Sequence, residues 1–322
     1  MRRLALIVVL SLAVLAVSYA GFGRSFNVAQ LNPSKSVAAA ATPGSGEGRP
    51  GISVASPGAE HVPSSLYSVT HTSIMTVYHN IEYGSAGGHE LLLDAYVPNG
   101  GPHPAVLVIH GGGWAYGDKH FLAFEGENLA AAGFGAFVVN YRLAPPGGTA
   151  HAPIALEDVR TAVNWVRTNA ARYDINSHEI GALGNSAGGN LAMMLGTTGT
   201  PGLDRVNAVV SYSGQSELLT LSTKHTIHAA TNYLGCAATV CRDAWIANSP
   251  IDHVDQQTAP MLLVNSTHEL MPLDQATTMA AKLQQVGIAH GLKVLNGDTH
   301  ASAYANEVWP ETLAFLRQYL GS

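Results

Sequence analysis

The stretch "PAVLVIHGGGW", residues 104–114, constrains the fold of this chain more than any other. Its apolar run is too short for a buried helix, rich in valine and isoleucine, and free of polar alternation. Both faces of the resulting strand must therefore be covered. The run then stops at three consecutive glycines, which end it in a turn.

Similar strand signals recur as "FGAFVVNYR", "EIGALGNS", "VNAVVSYSG", "APMLLVNST" and "GLKVLNG". Helical patterns lie between and after them. In "IALEDVRTAVNWVRTNAARY" the residues Ala155, Val159, Val163, Val166 and Ala170 share one helical face. "LDQATTMAAKLQQVG" and "ETLAFLRQYL" follow the last two strands, and "TVYHNIEY" with "HELLLDAYVP" reads as a leading pair joined by a glycine turn. This alternation predicts an α/β chain with a mostly parallel central sheet and helices on both faces. The apolar content of 47% is ample for such a core.

In a sheet of this kind, ligands meet the carboxyl ends of the strands. Two glycine-rich stretches fall there. "GNSAGG" places Ser186 between a strand and the helical "GGNLAMML", with Gly184 and Gly188 forming G-x-S-x-G. A strained turn of this type exposes a serine hydroxyl, and the following helix directs its first amides at developing negative charge. A tight packing turn is the plainer alternative. The second stretch, "HGGGW", leaves the amides of Gly112 and Gly113 able to approach a substrate oxygen, alongside that of Ala187. His110 and Trp114 are read as shaping that loop, Tyr141 and Arg142 as holding the turn after their strand, and Asp158 as a structural partner.

The words "LLLDAYVP", "HGGGW", "VVNYRLAP", "EDVRTAVNWV" and "GNSAGG" resemble the α/β-hydrolases, in particular the hormone-sensitive-lipase-like esterases. Closer still is the group that includes bifunctional acetylxylan and feruloyl esterases. The similarity runs from about Thr76 to the C-terminus. It implies an α/β-hydrolase fold with a small or no cap and a serine carboxylesterase without a cofactor. Its substrate would be a small-molecule or carbohydrate-linked ester. The family's acid, usually in G-x-x-D, corresponds to Glu269 in "LLVNSTHELMP", where Ser266 replaces the glycine; Asp274 and Asp298 are the alternatives. The late histidine corresponds to His300 in "VLNGDTHASAY". His268 and His290 are given no role. A formamidase or peptidase with the same triad, and a binding protein on a hydrolase scaffold, are the rival readings.

Charge and composition narrow the partners. A net charge of −6 without a basic stripe speaks against nucleic acid. None of the 15 histidines stands in a metal-ligand spacing such as HExxH, so no metal is expected.

The N-terminus carries separate information. "MRRLALIVVLSLAVLAVSYAG" has a basic start, an apolar run from Leu4 to about Val17, and small residues at Ser18 and Ala20. It reads as a signal peptide over residues 1–20, cleaved after Ala20; an uncleaved membrane anchor is the alternative. Residues 21–65, rich in Ala, Gly, Ser and Pro, read as a tether, and 66–322 as the catalytic domain. The protein would then be secreted or held in the cell envelope. In that setting Cys236 and Cys241 can close a small disulfide loop, against the alternative of two separate thiols. The stretch between Gly214 and Pro260 is polar rather than a long amphipathic helix, which predicts an open site suited to short acyl groups.

Overall fold

A computed structural model describes residues 68–321. The expected signal peptide and tether lie outside the described residues. The order of elements is β1 (Ser68–His71), β2 (Met75–Ala86), β3 (His89–Pro98), β4 (His103–Ile109), α1 (Ala123–Ala131), β5 (Gly135–Val139), α2 (Ile154–Thr168), β6 (Ile175–Asn185) and α3 (Ala187–Thr197). There follow β7 (Ala208–Tyr212), α4 (Lys224–Leu234), α5 (Arg242–Ala247), β8 (Met261–Ser266), α6 (Leu273–Val286), β9 (His290–Leu295) and α7 (Ala305–Leu320).

The nine strands form one sheet in the order β1-β2-β3-β5-β4-β6-β7-β8-β9. The pairs β1–β2, β2–β3 and β3–β5 are antiparallel, and every pair from β5 to β9 is parallel. After β4 the chain turns towards β5, and then crosses back to place β6 on the other side of β4. The strand order therefore reverses between β4 and β6, and a crevice opens at their carboxyl ends. Ile109 pairs with Gly184 at that point, so "HGGGW" and "GNSAGG" emerge side by side.

Alternation within the buried strands feeds two cores. Leu107, Ile109 and Phe137 pack with Val159 of α2, Leu191 of α3 and Met279 of α6. Val106, Val108 and Val138 face the opposite way and pack with Leu129 of α1 and Leu316 of α7. Each fully buried side chain of this size contributes about 1.5–3 kcal/mol of transfer free energy.

Several elements differ from the sequence expectation. α1 has no strong apolar stripe, because it seats Gly126 against the Tyr96 ring: a β-carbon there would lie 2.7 Å from that ring. α7 begins at Ala305 and runs through Pro310, instead of starting after it, since Ala305 and Val308 bury its first turns. The segment between Gly214 and Pro260 supplies α4 and α5, a small cap. Thr223 caps α4 by accepting from the Thr226 N–H at 3.2 Å.

Candidate active site

Ser186 ends the strand side of the turn after β6 and starts α3, with φ 54° and ψ −117°. A non-glycine residue with that backbone is strained and is held there by its surroundings. The Ser186 N–H donates to Tyr212 O at 2.7 Å, and Ser186 O accepts from the Asn190 N–H at 3.1 Å. Close approach explains the neighbouring glycine: a β-carbon on Gly188 would lie 2.1 Å from Ile109 O. The turn after β4 crosses just as tightly, since a β-carbon on Gly111 would lie 2.7 Å from Asn185 O.

That second turn is fixed from both sides. His110 is buried and stacks on Tyr141 with ring centroids 4.3 Å apart, and Tyr141 donates its hydroxyl to His110 O at 3.1 Å. Burial pushes the His110 pKa down, so the ring stays neutral, and its Nδ1 lies 2.7 Å from Gly111 O. Trp114 is fully buried and stacks on Tyr233 of α4 at 4.6 Å. Arg142 grips Asp158 through Nε and Nη2, and its N–H also donates to that carboxylate, so Asp158 is a structural partner. Gly112 and Gly113 hold positive φ of 110° and 60°. Both line a cavity of about 610 Å³ together with Ser186 and His300. Ala187 is buried as the first residue of α3, where its N–H has no carbonyl within the helix to meet.

The candidate acid and base, Glu269 and His300, stand on the loops after β8 and β9. His300 Nδ1 hydrogen-bonds Glu269 Oε2. The Glu269 side chain is fully buried, and its Oε1 accepts from the Ser266 N–H at 2.7 Å and the Ser213 hydroxyl at 2.8 Å. These donors satisfy an oxygen that burial would otherwise leave without a partner. The longer arm of glutamate lets the carboxylate fold back onto Ser266, three residues earlier, and still reach His300. Ser266 adds a tie of its own, donating its hydroxyl to Thr299 O at 2.6 Å, next to the histidine. Asp274 and Asp298 are exposed on the surface, and His268 is exposed as well. The ring of His290 turns back to Ile288 O at 2.9 Å.

Sequence reasoning missed Ser213 and Tyr304. Ser213, at φ 52°, accepts from the Ala301 N–H at 3.0 Å and lies 2.7 Å from the Tyr304 hydroxyl. Burial pushes the Tyr304 phenol up, so it stays protonated and donates to Val264 O at 2.9 Å. The only sequence signal was a polar residue at the carboxyl end of a buried strand.

The missed pocket wall is α4. His225, Thr226, His228, Ala229 and Asn232 line the cavity from it. Asn232 donates its Nδ2 to Ala144 O at 2.5 Å, tying the helix to the turn after β5. A disulfide between Cys236 and Cys241, with Cα atoms 6.1 Å apart, closes the loop from α4 to α5. Among the described residues, no cluster of three or more His, Cys, Asp or Glu is placed to hold a metal, and no helix is long and apolar enough to cross a membrane.

Residues 93–283, more than half of the chain, match the BD-FAE family. The chain belongs to that family. Its relatives include esterase LipC of Mycobacterium tuberculosis, 26% identical over 256 residues that cover 68% of this chain and 62% of LipC. The chain thus spans less than two thirds of that relative. Among solved structures, it is similar to a truncated carbohydrate esterase from gut microbiota, with TM-score 0.68 and 22% identity over 76% of this chain and 96% of the other. Esterase 2 of Thermogutta terrifontis, phosphonylated by sarin, is similar with TM-score 0.65 and 21% identity, covering 74% and 92%. At these identities the structural matches establish the α/β-hydrolase fold.

Proposed function

We propose that this BD-FAE family member is a serine carboxylesterase that hydrolyses short-chain esters through an acyl-enzyme. The observation that carries the reading is a buried Glu269 bound to His300 Nδ1, with His300 and the strained Ser186 opening onto one cavity. With Nδ1 engaged, His300 Nε2 is the nitrogen left to take the Ser186 proton as Oγ attacks the ester carbonyl. Glu269 holds the ring and supports the imidazolium. The N–H groups of Gly112, Gly113 and Ala187 receive the tetrahedral oxyanion. His300 then returns the proton to the departing alcohol, and water releases the acid by the reverse sequence. The names of the esterase relatives agree with this chemistry. The cavity carries no long apolar channel-forming helix in its small cap, which favours acetyl to butyryl esters.

A fluorophosphonate probe tests the nucleophile. The expected result is one adduct on Ser186, absent from Ser186→Ala. Failure of the folded protein to label, with no hydrolysis of 4-nitrophenyl acetate, would leave a binding protein on a hydrolase scaffold.

We also propose export, with the mature chain beginning near Gly21. The basic and apolar N-terminus supports it, and so does a disulfide, which persists in oxidising compartments. Intact-mass measurement of protein from a secreting host should show loss of residues 1–20. A chain that retains Met1 in the membrane fraction would favour an anchor.

A further inference from the structure

Asp94, in the stretch "LLLDAYVP", is buried within β3 and paired with a second buried charge. Lys119 Nζ lies 2.7 Å from Asp94 Oδ1, and the two side chains are 1% and 3% exposed. The carboxylate also accepts from the Asn80 N–H at 2.8 Å and faces His79 Nδ1 at 3.1 Å. Neither Asp94 nor Lys119 lines the cavity.

Lys119 stands where the glycine turn after β4 ends. Its backbone is fixed as well as its side chain, since its N–H donates to Asn140 Oδ1 at 2.6 Å, just beyond β5. Asn140 Nδ2 in turn donates to Asp118 Oδ2 at 2.9 Å, and Asp118 Oδ1 accepts from the His120 N–H at 2.9 Å. Just before Lys119 the chain doubles back onto the start of the turn. The N–H groups of Ala115 and Tyr116 donate to Gly112 O at 3.2 and 3.1 Å. A β-carbon on Gly112 would lie 2.1 Å from Tyr116 O, and one on Gly117 would lie 2.6 Å from Gly111 O. Fixing Lys119 therefore limits where Gly112 and Gly113 can point their N–H groups.

We infer that the buried Asp94–Lys119 pair is a positioning element for the oxyanion-binding amides of Gly112 and Gly113. The inference rests on the esterase reading above, in which those amides receive the oxyanion. A buried ion pair adds little stability over apolar side chains of similar volume, because desolvation offsets the attraction. What it supplies is a single arrangement: neither charge can move off without leaving the other unpaired in the interior. β3 is hydrogen-bonded on both sides, to β2 and β5, so Asp94 offers Lys119 a rigid support. Amides that stabilise a transition state must be in place before the charge develops. The pair acts on them through the backbone of residues 112–117, without touching substrate.

The test uses Lys119→Met and Lys119→Met/Asp94→Asn in the full chain, assayed on 4-nitrophenyl acetate. The double variant removes both charges and keeps an acceptor for the Asn80 N–H. It should therefore fold, with a Tm within about five degrees of wild type. In both variants kcat should fall by about tenfold or more while KM stays within about threefold, the pattern of an interaction made only in the transition state. Should Lys119→Met not fold, because Asp94 is left buried without its partner, the double variant decides. A folded double variant with kcat within about twofold of wild type overturns the inference, and so does a rise in KM at unchanged kcat. A double variant that does not fold makes the pair structural and overturns it too. Failure of the wild type to hydrolyse the ester overturns the esterase reading instead.

Discussion

The nucleophile side and the acid–base side of the candidate site are built in different ways. Around β4 and β6, strained turns of a few residues do the work: Ser186 at φ 54°, with glycines where backbones nearly touch. Around β7, β8 and β9, single hydrogen bonds join residues far apart in the chain, as Ser213 joins Glu269, Ala301 and Tyr304. Backbone strain needs particular residue types in particular order and so leaves a motif. A hydrogen-bond network needs only that partners arrive together, and several residue types can serve.

Substitutions can break this comparison, the largest effect first. Ser186→Ala removes the attacking oxygen, so kcat on 4-nitrophenyl acetate should fall on the order of 10³-fold or more. Circular dichroism should show the fold retained, because α3 is buried on all sides. Hydrolysis near the wild-type rate would remove Ser186 from the mechanism.

Glu269→Gln comes next, with a loss on the order of 10²-fold or more, since a neutral amide cannot support the imidazolium. Asp274→Asn and Asp298→Asn should stay within about twofold, because both carboxylates are exposed. A larger loss at Asp298 than at Glu269 would reassign the acid.

Ser213→Ala sharpens the contrast. It removes the hydroxyl that donates to the buried Glu269 carboxylate at 2.8 Å, and a hydrogen bond to a charged group is worth about 1.5–3 kcal/mol. The expected result is a roughly tenfold or greater loss in kcat with KM little changed, because the bond positions the carboxylate that holds His300. A loss in Tm with an unchanged kcat would make Ser213 merely structural.

The smallest effect concerns Glu125, buried on α1 beneath the nucleophile turn. Burial pushes its carboxyl pKa up, and the Asn185 amide only partly offsets this. The folded state thus prefers the protonated form. Its stabilisation is complete below the unfolded value of about 4.3 and is lost as pH rises through the higher folded value. Glu125→Gln mimics the protonated group, so its Tm relative to wild type should rise by a few degrees between pH 4.5 and pH 8. A pH-independent difference in melting would show that burial leaves the Glu125 pKa where it stands in the unfolded chain.

The parallel sheet, the strand–turn–helix at Ser186 and the glycine loop after β4 were legible because each depends on local rules. Apolar runs without alternation must be buried on two faces, and turns with crossing backbones exclude side chains. Glu269 and His300 were legible only through family resemblance, since "NSTHEL" and "GDTHAS" carry no periodicity that sets them apart. α1 and α4 were not legible at all. α1 replaces an apolar stripe with Gly126 seated on Tyr96, and α4 presents polar residues to a cavity.

By itself, the order of residues determined the strand–helix alternation and where the chain must bend sharply, because both follow from side-chain size and polarity within a few positions. Only the tertiary structure decided which carboxylate meets His300. It also decided that the Trp114 ring would rest on Tyr233. Those outcomes depend on the crossover that sets β6 beside β4 and on the packing of loops more than thirty residues apart, and no local pattern encodes a distance of that kind.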